Sequence, residues 1–208
     1  MVTEEQIQQH YEKFMEYIKA DSRAEQLIKM YEDFTTELVT APASAKVFYH
    51  NAFPGGYIDH VLRVTETSLQ IAAQYKKMGG TIDFTKQELI FAALHHDLGK
   101  LGNPDQGPYY LEQDSDWHRK NRGEMYKHNE NIQYFTVTDR ALFTLQKYGV
   151  PVTEKEWLGI KLSDGMYEDS NKAYYKCFVP NAMKTNLPYI LHWADHMSCR
   201  TEGDTAKF

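Results

Sequence analysis

The sequence has little cysteine: only Cys177 and Cys199 occur among its 208 residues. Two thiols this far apart are too few for a disulfide framework and lack the spacing of a CxxC site, which favours a reducing, cytoplasmic setting. No apolar run approaches the length of a membrane span. The polar, acidic start MVTEEQIQQH is not expected to act as a secretory signal. We therefore expect no membrane partner.

Positive charge is also scarce, because 23 Lys and Arg stand against 29 Asp and Glu for a formal net charge of −6. Proteins that coat duplex DNA need a basic surface, so this partner is not expected. A small phosphorylated substrate stays open, since a basic pocket can lie within an acidic surface. Hydrophobic residues make up 42% and charged residues 25%. This balance excludes a disordered or fibrous chain.

Apolar side chains recur at helical spacing along most of the chain. The first forty residues are expected to form two helices, the second capped by Asp21 or Ser22. A turn at Pro54-Gly55-Gly56 precedes a long helix that is expected to end at Gly79-Gly80. Three further helices are expected to start at threonine N-caps: Thr85 (with Glu88), Thr138 and Thr153 (with Glu156). The last helix is expected to start near Leu187.

Two stretches lack this periodicity. The segment 102–123, rich in Gly, Pro, Asp and Tyr, is expected to be a long loop, with helix resuming near Tyr126. Residues 165–185 are rich in turn formers. The nearest strand candidates, Lys46–Tyr49 and Lys176–Val179, are short and weak.

These patterns predict an all-α fold. A helical segment, residues 1–40, is expected to pack on a domain formed by residues 41–208. The Tyr and Phe stripe of the first two helices is interpreted as core or as the face of a homodimer. The last residues, from Thr201, are expected to fray.

The densest chemical signal is the run His95-His96-Asp97-Leu98-Gly99-Lys100, at the end of an apolar helix. An adjacent His-Asp pair can place an imidazole and a carboxylate on one cation, and the lysine can meet a phosphate. His60 lies upstream on the helix after the glycine turn. Asp195, in LHWADHMS, lies on an apolar helix face, where a lone carboxylate is costly unless it is bound. Mixed nitrogen and oxygen donors suit Mn, Fe, Zn or Mg-like ions rather than a thiolate site.

Three ordered segments carry a resemblance to a known family: YHNAFPGGYIDHVLRV (Tyr49–Val64), AALHHDLGK (Ala92–Lys100) and ILHWADHMS (Ile190–Ser198). Together they resemble the first-histidine, His-Asp and closing-aspartate motifs of the HD-domain superfamily of metal-dependent phosphohydrolases. The resemblance covers roughly residues 41–200 and implies an all-α helical bundle with an N-terminal helical extension. The glycine turn is most similar to that of HD-type 3′→5′ exoribonucleases and of uncharacterised HD proteins from tailed phages, which would place a phage-encoded chain in the host cytoplasm.

The resemblance implies that His60, His96, Asp97 and Asp195 hold one divalent ion, with Mn, Fe, Zn, Ni and Mg as candidates. Binuclear relatives add two histidines. His128, expected to open a helix, matches the first. Where relatives often carry His-His-Gly, this chain has Ser163-Asp164-Gly165, so either Asp164 is an oxygen ligand of a second ion or that ion is weakly bound or absent.

The predicted substrate is a nucleotide or a small nucleotide-derived phosphodiester. Asp97 is the expected metal bridge, and Lys100 is expected to steady the phosphate or the leaving group. Four basic residues near His128 are candidates for phosphate contacts: His118, Arg119, Lys120 and Arg122. His50 is a candidate for the wall of the substrate pocket. Tyr109, Tyr110 and Trp117 are candidates for stacking on a base.

Each interpretation has a plainer rival. His60 can serve as a hydrogen-bonded core residue, Asp164 as a turn residue before glycine, His50 as a loop cap and the basic run as a solvated loop. At the level of function, the rivals are an HD-fold di-iron oxygenase and a non-catalytic, metal-containing module that senses a ligand.

Overall fold

The computed structural model describes residues 2–175 and 183–205. Within them the chain is mainly helical, which confirms the all-α prediction. The α-helices are α1 (Glu4–Ala20), α2 (Ala24–Glu32), α3 (Thr35–Thr40), α4 (Gly56–Lys77), α5 (Lys86–His95), α6 (Asp116–Arg122), α7 (Val137–Lys147), α8 (Glu154–Lys161), α9 (Lys172–Tyr175) and α10 (Leu187–Thr205). Three 3₁₀-helices span Leu98–Leu101, Gly165–Tyr167 and Asp169–Asn171, and two strands are β1 (Tyr110–Glu112) and β2 (Tyr126–His128). No helix of the described residues is long and apolar enough to cross a membrane.

The core forms where α4, α5, α8 and α10 pack together. Each helix buries an apolar face; examples are Val61 on α4, Leu89 on α5, Ile160 on α8 and Leu191 on α10. α10 contacts both α4 and α8, so it closes the bundle. The start of α4, the end of α5 and the middle of α10 meet on one side of the core, and the candidate site residues lie there.

The N-terminal forty residues form three helices, so the prediction of two is wrong. The break falls at Asp33-Phe34, where the Thr35 hydroxyl donates to the carbonyl oxygens of Tyr31 (3.3 Å) and Glu32 (2.9 Å) in the last turn of α2. Side chains that bond nearby carbonyls in this way compete with helix continuation. The break also lets Phe34, 1% exposed, turn into the core.

Neither Asp21 nor Ser22 is the N-cap of α2. Arg23 occupies that position, and Asp21 is the C-cap of α1. The Asp21 carboxylate accepts from the Arg23 backbone N–H and guanidinium, and the same guanidinium donates to Glu156 of α8 (2.8 Å). α1 and α3 also contact α4. A division of the chain at residue 40 stays a prediction.

The segment 102–123, expected to be a long loop, contributes one strand to a small antiparallel sheet. β1 pairs with β2, with Tyr110 opposite His128, and α6 lies between the strands. The expectation that helix resumes near Tyr126 and that His128 opens it is therefore wrong. Strands of three residues are too short for alternation to be visible in a sequence.

Helix boundaries mostly follow their local signals. The capping boxes at Thr85 and Thr153 are confirmed, but Thr136 rather than Thr138 caps α7. The fraying expected from Thr201 is contradicted as far as Thr205, where α10 ends, and residues 206–208 lie outside the described part of the chain. Of the strand candidates, Lys46 forms one isolated bridge to Glu124, whereas Lys176–Val179, with Cys177, lies outside the described residues.

Candidate metal centre

The two glycines of the turn, Gly55 and Gly56, are required by the backbone geometry at the start of α4. A Cβ on Gly56 would lie 2.1 Å from the Asn51 carbonyl oxygen, and Gly55 has a φ of +80°. Only glycine allows this close, left-handed entry into the helix. The tight turn sets the start of α4 against the preceding loop, and His60, in the next turn, is fully buried.

Three helices bring the four predicted ligands of the first ion together. His60 comes from α4, His96 and Asp97 follow the end of α5, and Asp195 lies on α10. His60 Nε2 is 3.1 Å from Asp195 Oδ1 and 3.6 Å from Asp97 Oδ2. His96 Nε2 is 3.7 Å from each of the same two oxygens. Two imidazole nitrogens and two carboxylates therefore face one point.

Both imidazoles present an Nε2 atom that the protein itself does not satisfy. His96 Nδ1 lies 2.7 Å from the Ala93 carbonyl oxygen, which can only accept, so Nδ1 carries the proton. His60 Nδ1 lies 3.1 Å from the Glu202 carboxylate. The Nε2 atoms of both rings are buried, and neither has a hydrogen-bond partner among the residues that the structure describes. Buried polar atoms are rarely left in this state, and this donor set fits a divalent transition ion.

The charges in the cluster depend on one another. Burial alone would lower the pKa of His60, but Glu202 and Asp195 raise it to about 10. Burial alone would raise the pKa of Asp195, but the adjacent imidazoles of His60 and His96 hold it well below its ordinary value. The pKa of Asp97 is lowered in the same way against its burial, first by Lys100. Both carboxylates are thus ionised at neutral pH.

Lys100 lies at the mouth of the cluster. Its Nζ donates to Asp97 Oδ2 at 2.6 Å. Burial opposes its charge, yet Asp97 raises the pKa of Lys100 above its ordinary value, so the ammonium stays protonated. Its 3₁₀-helix is fixed against α7, because a Cβ on Gly99 would lie 2.1 Å from the Val137 carbonyl oxygen.

A cavity of about 180 Å³ opens beside the cluster and is lined by Asp97, Lys100, Asp195, Asp164, His50 and Cys199, together with Tyr167, His192 and His196. Burial, with the nearby charges of Asp97 and Asp195, raises the pKa of Asp164 to about 6. Asp164 therefore lines the same cavity as Asp97 and Asp195, and its role as a ligand stays a prediction. Burial lowers the pKa of His50 to about 2, so this ring is neutral.

His128 is not among the residues that line this cavity. It is exposed at the end of β2, and its ring packs against those of Tyr109 and Tyr110 at 5.0 and 5.3 Å between centroids. Burial lowers its pKa.

The basic residues of 118–122 lie on α6 and line neither this cavity nor the larger one described below. His118 is 2.5 Å from Glu124, and Arg119 donates to the Gln113 carbonyl oxygen. Arg122 lies over the Trp117 ring, and Lys120 is exposed. The structure does not place them at the metal cluster.

A larger cavity of about 790 Å³ adjoins the first one and shares His50, Lys100, Tyr167, His196 and Cys199 with it. Its other walls include Phe48, Tyr49, Tyr110 and Arg200. Pockets of this size hold small organic ligands. Tyr110, one of the rings predicted to stack on a base, lies in this wall.

Sequence reasoning missed two residues at the centre. Glu202 contacts His60 directly, and Cys199 Sγ lies 3.5 Å from Asp195 Oδ1 and 3.6 Å from His50 Nε2. Cys199 is therefore part of the cavity wall. Both follow Asp195 by one or two helical turns, a spacing that places them on its face of α10.

Part of the chain is similar to a known family. Residues 57–137 match the family model described as HD domain. This match supports a relationship of the segment to the HD-domain superfamily. Members of this superfamily are typically metal-dependent hydrolases. No curated protein and no solved structure matches the chain.

The HD match spans His60, His96, Asp97 and His128 but ends before Asp164 and Asp195. The assignment of Asp195 to the centre therefore depends on its distances to His60 and His96. The group formed by His60, His96 and Asp97 can hold an ion, since each offers a ligand atom within 4.8 Å of the others. His50, His60 and Cys199 form a second such group among the described residues.

Proposed function

We propose that this protein is a metal-dependent phosphohydrolase that acts on a phosphate ester of a nucleotide or of a small nucleotide-derived phosphodiester. The observation that carries the proposal is the pair of buried, unpartnered Nε2 atoms on His60 and His96, which face the carboxylates of Asp97 and Asp195. The site opens into a cavity with a protonated lysine at its mouth.

His60, His96, Asp97 and Asp195 would hold the first ion, with Mn, Fe, Zn, Ni and Mg as candidates. Such an ion supplies water that ionises near neutral pH and a Lewis acid for phosphoryl oxygens. Asp164, with Asp97, is our proposed donor pair for a second ion. His128 is not included in this pair, because its ring packs on Tyr109 and Tyr110 and does not line the cavity.

The protein's own contribution begins with Lys100. Its ammonium is kept protonated by Asp97, so it offers a fixed cation to a phosphate oxygen. Asp97 in turn is kept ionised by Lys100 and the two histidines, which maintains it as a ligand over a wide pH range.

The larger cavity supports a substrate with an aromatic part. Phe48, Tyr49, Tyr110 and Tyr167 offer ring faces on which a base can stack, and Arg200 adds a second cation. We propose that the phosphate binds beside Lys100 and that the base lies among these rings. We further propose a cytoplasmic location, on the low cysteine content.

The first experiment measures bound metal and turnover in the same samples. Protein loaded with Mn²⁺ is assayed on nucleotides and phosphodiesters, as wild type, as Asp97→Asn and as the matched exposed control Asp114→Asn. We expect the wild type and the control to hold metal and to release phosphate or nucleotide. Asp97→Asn is expected to lose at least one ion and on the order of 100-fold or more in rate.

Lys100→Met tests the phosphate contact separately from the ion, with Lys127→Met, at a partly exposed position outside the cavity, as its control. We expect a loss of 10- to 1000-fold in kcat/KM, as for removal of one charged contact to a developing anion, with metal content roughly unchanged.

Two outcomes would favour the rival functions. Dioxygen consumption by the iron-loaded protein without phosphate-ester turnover would favour an oxygenase. Tight metal binding without turnover on either chemistry would favour a ligand-sensing module. A wild-type protein that binds no divalent ion would overturn the proposal.

A further inference from the structure

Glu202 lies two turns beyond Asp195 on α10 and is 3% exposed. Both of its carboxylate oxygens are 3.1 Å from His60 Nδ1. His60 is therefore contacted at both ring nitrogens from the same helix, by Glu202 at Nδ1 and by Asp195 near Nε2.

The Glu202 carboxylate has a second partner, Arg63, one turn after His60 on α4. Arg63 Nε is 3.2 Å from Glu202 Oε1, and the Arg63 side chain is 42% exposed. A buried carboxylate is costly unless it is paired and hydrogen-bonded. Arg63 and His60 together meet this requirement, so the carboxylate is held in place on both sides.

We infer that Glu202 is a positioning residue for the proposed metal centre: it accepts the Nδ1–H of His60 and so fixes the ring with the Nε2 lone pair facing Asp97 and Asp195. This inference rests on the proposed function, because it assigns a role to Glu202 only if His60 is a ligand.

The Nδ1 partner of His60 can be compared with that of His96, the other histidine of the centre. His96 Nδ1 is held by the Ala93 carbonyl oxygen of its own helix, a neutral acceptor, at 2.7 Å. His60 is held instead by a charged group from a different helix, 142 positions away in the chain. A carboxylate at this position increases the basicity of the ligating nitrogen more than a carbonyl does, and loss of such a partner typically weakens metal affinity 10- to 100-fold.

The test measures Mn²⁺ affinity of the full chain by the electron paramagnetic resonance signal of free Mn²⁺, beside the unfolding temperature of each metal-free protein. Glu202→Leu removes the acceptor, and Glu202→Gln keeps an amide oxygen that can still accept from Nδ1–H. Ser198→Ala is the matched control, because Ser198 is buried on the same helix and contacts Thr67 of α4 rather than His60.

We expect the Kd for Mn²⁺ to rise roughly 10- to 100-fold in Glu202→Leu and less in Glu202→Gln, with Ser198→Ala close to wild type. If Glu202→Leu does not fold, a weaker affinity in Glu202→Gln than in Ser198→Ala supports the inference and an equal affinity overturns it.

Folded variants at Glu202 that bind Mn²⁺ as wild type does, even with a lowered unfolding temperature, would show a structural role only and leave the proposed function standing. Equal losses in Ser198→Ala would assign the effect to helix packing and also overturn the inference. Absence of Mn²⁺ binding in the wild type would instead refute the proposed function.

Discussion

Raising the pH of the metal-free protein from 7 to 9 is expected to weaken its fold. His60 is buried between Asp195 and Glu202, and its pKa is about 10 in the folded state against 6.5 for the free side chain. Because the folded pKa is the higher one, the stabilisation is complete below the unfolded pKa and is lost as the pH rises towards 10. Between pH 7 and 9 the native state holds one proton at His60 that the unfolded chain has released.

One extra proton in the native state lowers the free energy of unfolding by about 1.4 kcal/mol per pH unit, or about 2.7 kcal/mol over this range. That is a large share of the ~5–15 kcal/mol that stabilises an ordinary domain. The assay is urea unfolding in the presence of a chelator at pH 7, 8 and 9. His60→Gln is the control, because it removes the titrating ring and is expected to reduce the slope by about one proton.

The same stability at pH 7 and 9 in the wild type would refute this reasoning. An undiminished slope in His60→Gln would do so as well, since the proton would then reside elsewhere.

Three further predictions concern other parts of the molecule. Gly99→Ala forces a Cβ against the Val137 carbonyl oxygen and is expected to lower stability by about 1–3 kcal/mol or more, measured by thermal unfolding. Arg23→Met leaves the buried carboxylate of Glu156 without its cation and is expected to cost about 3–5 kcal/mol in urea unfolding. Burial raises the pKa of the Cys199 thiol, so iodoacetamide at pH 8 is expected to alkylate it more slowly in the native protein than in urea, as measured by peptide mass spectrometry.

Their controls follow from the same structure. Gly203→Ala is expected to leave stability nearly unchanged, because among the described residues its Cβ would meet only the Tyr49 carbonyl oxygen, at 3.8 Å. Adding Glu156→Gln to Arg23→Met should recover part of the loss, and no recovery would argue against an unpaired charge as its cause. Equal alkylation rates for Cys199 in native protein and in urea would contradict its burial beside Asp195.

Features encoded by neighbouring residues could be predicted from the sequence. The capping boxes at Thr85 and Thr153 are made by side chains three positions apart, and both form. His96 and Asp97 come from one helix end, so only His60 and Asp195 had to be brought to them by the fold.

Features that depend on tertiary contacts could not be predicted from the sequence. The break before α3 depends on the packing of Phe34 into the core. The pairing of β1 with β2 joins residues that α6 separates in the sequence. Glu202 was assigned to a frayed end because nothing in TEGDTAKF indicates that the helix face of Asp195 continues through it.

The contact between His60 and Glu202 closes a loop of 142 positions. A contact of such long range costs the chain the entropy of closing the whole loop. A chain in which α10 is not docked lacks Asp195 and Glu202 at the centre, although His96 and Asp97 are supplied by the end of α5. The complete ligand set therefore exists only while α10 is docked, so metal affinity would report on the docking of this helix.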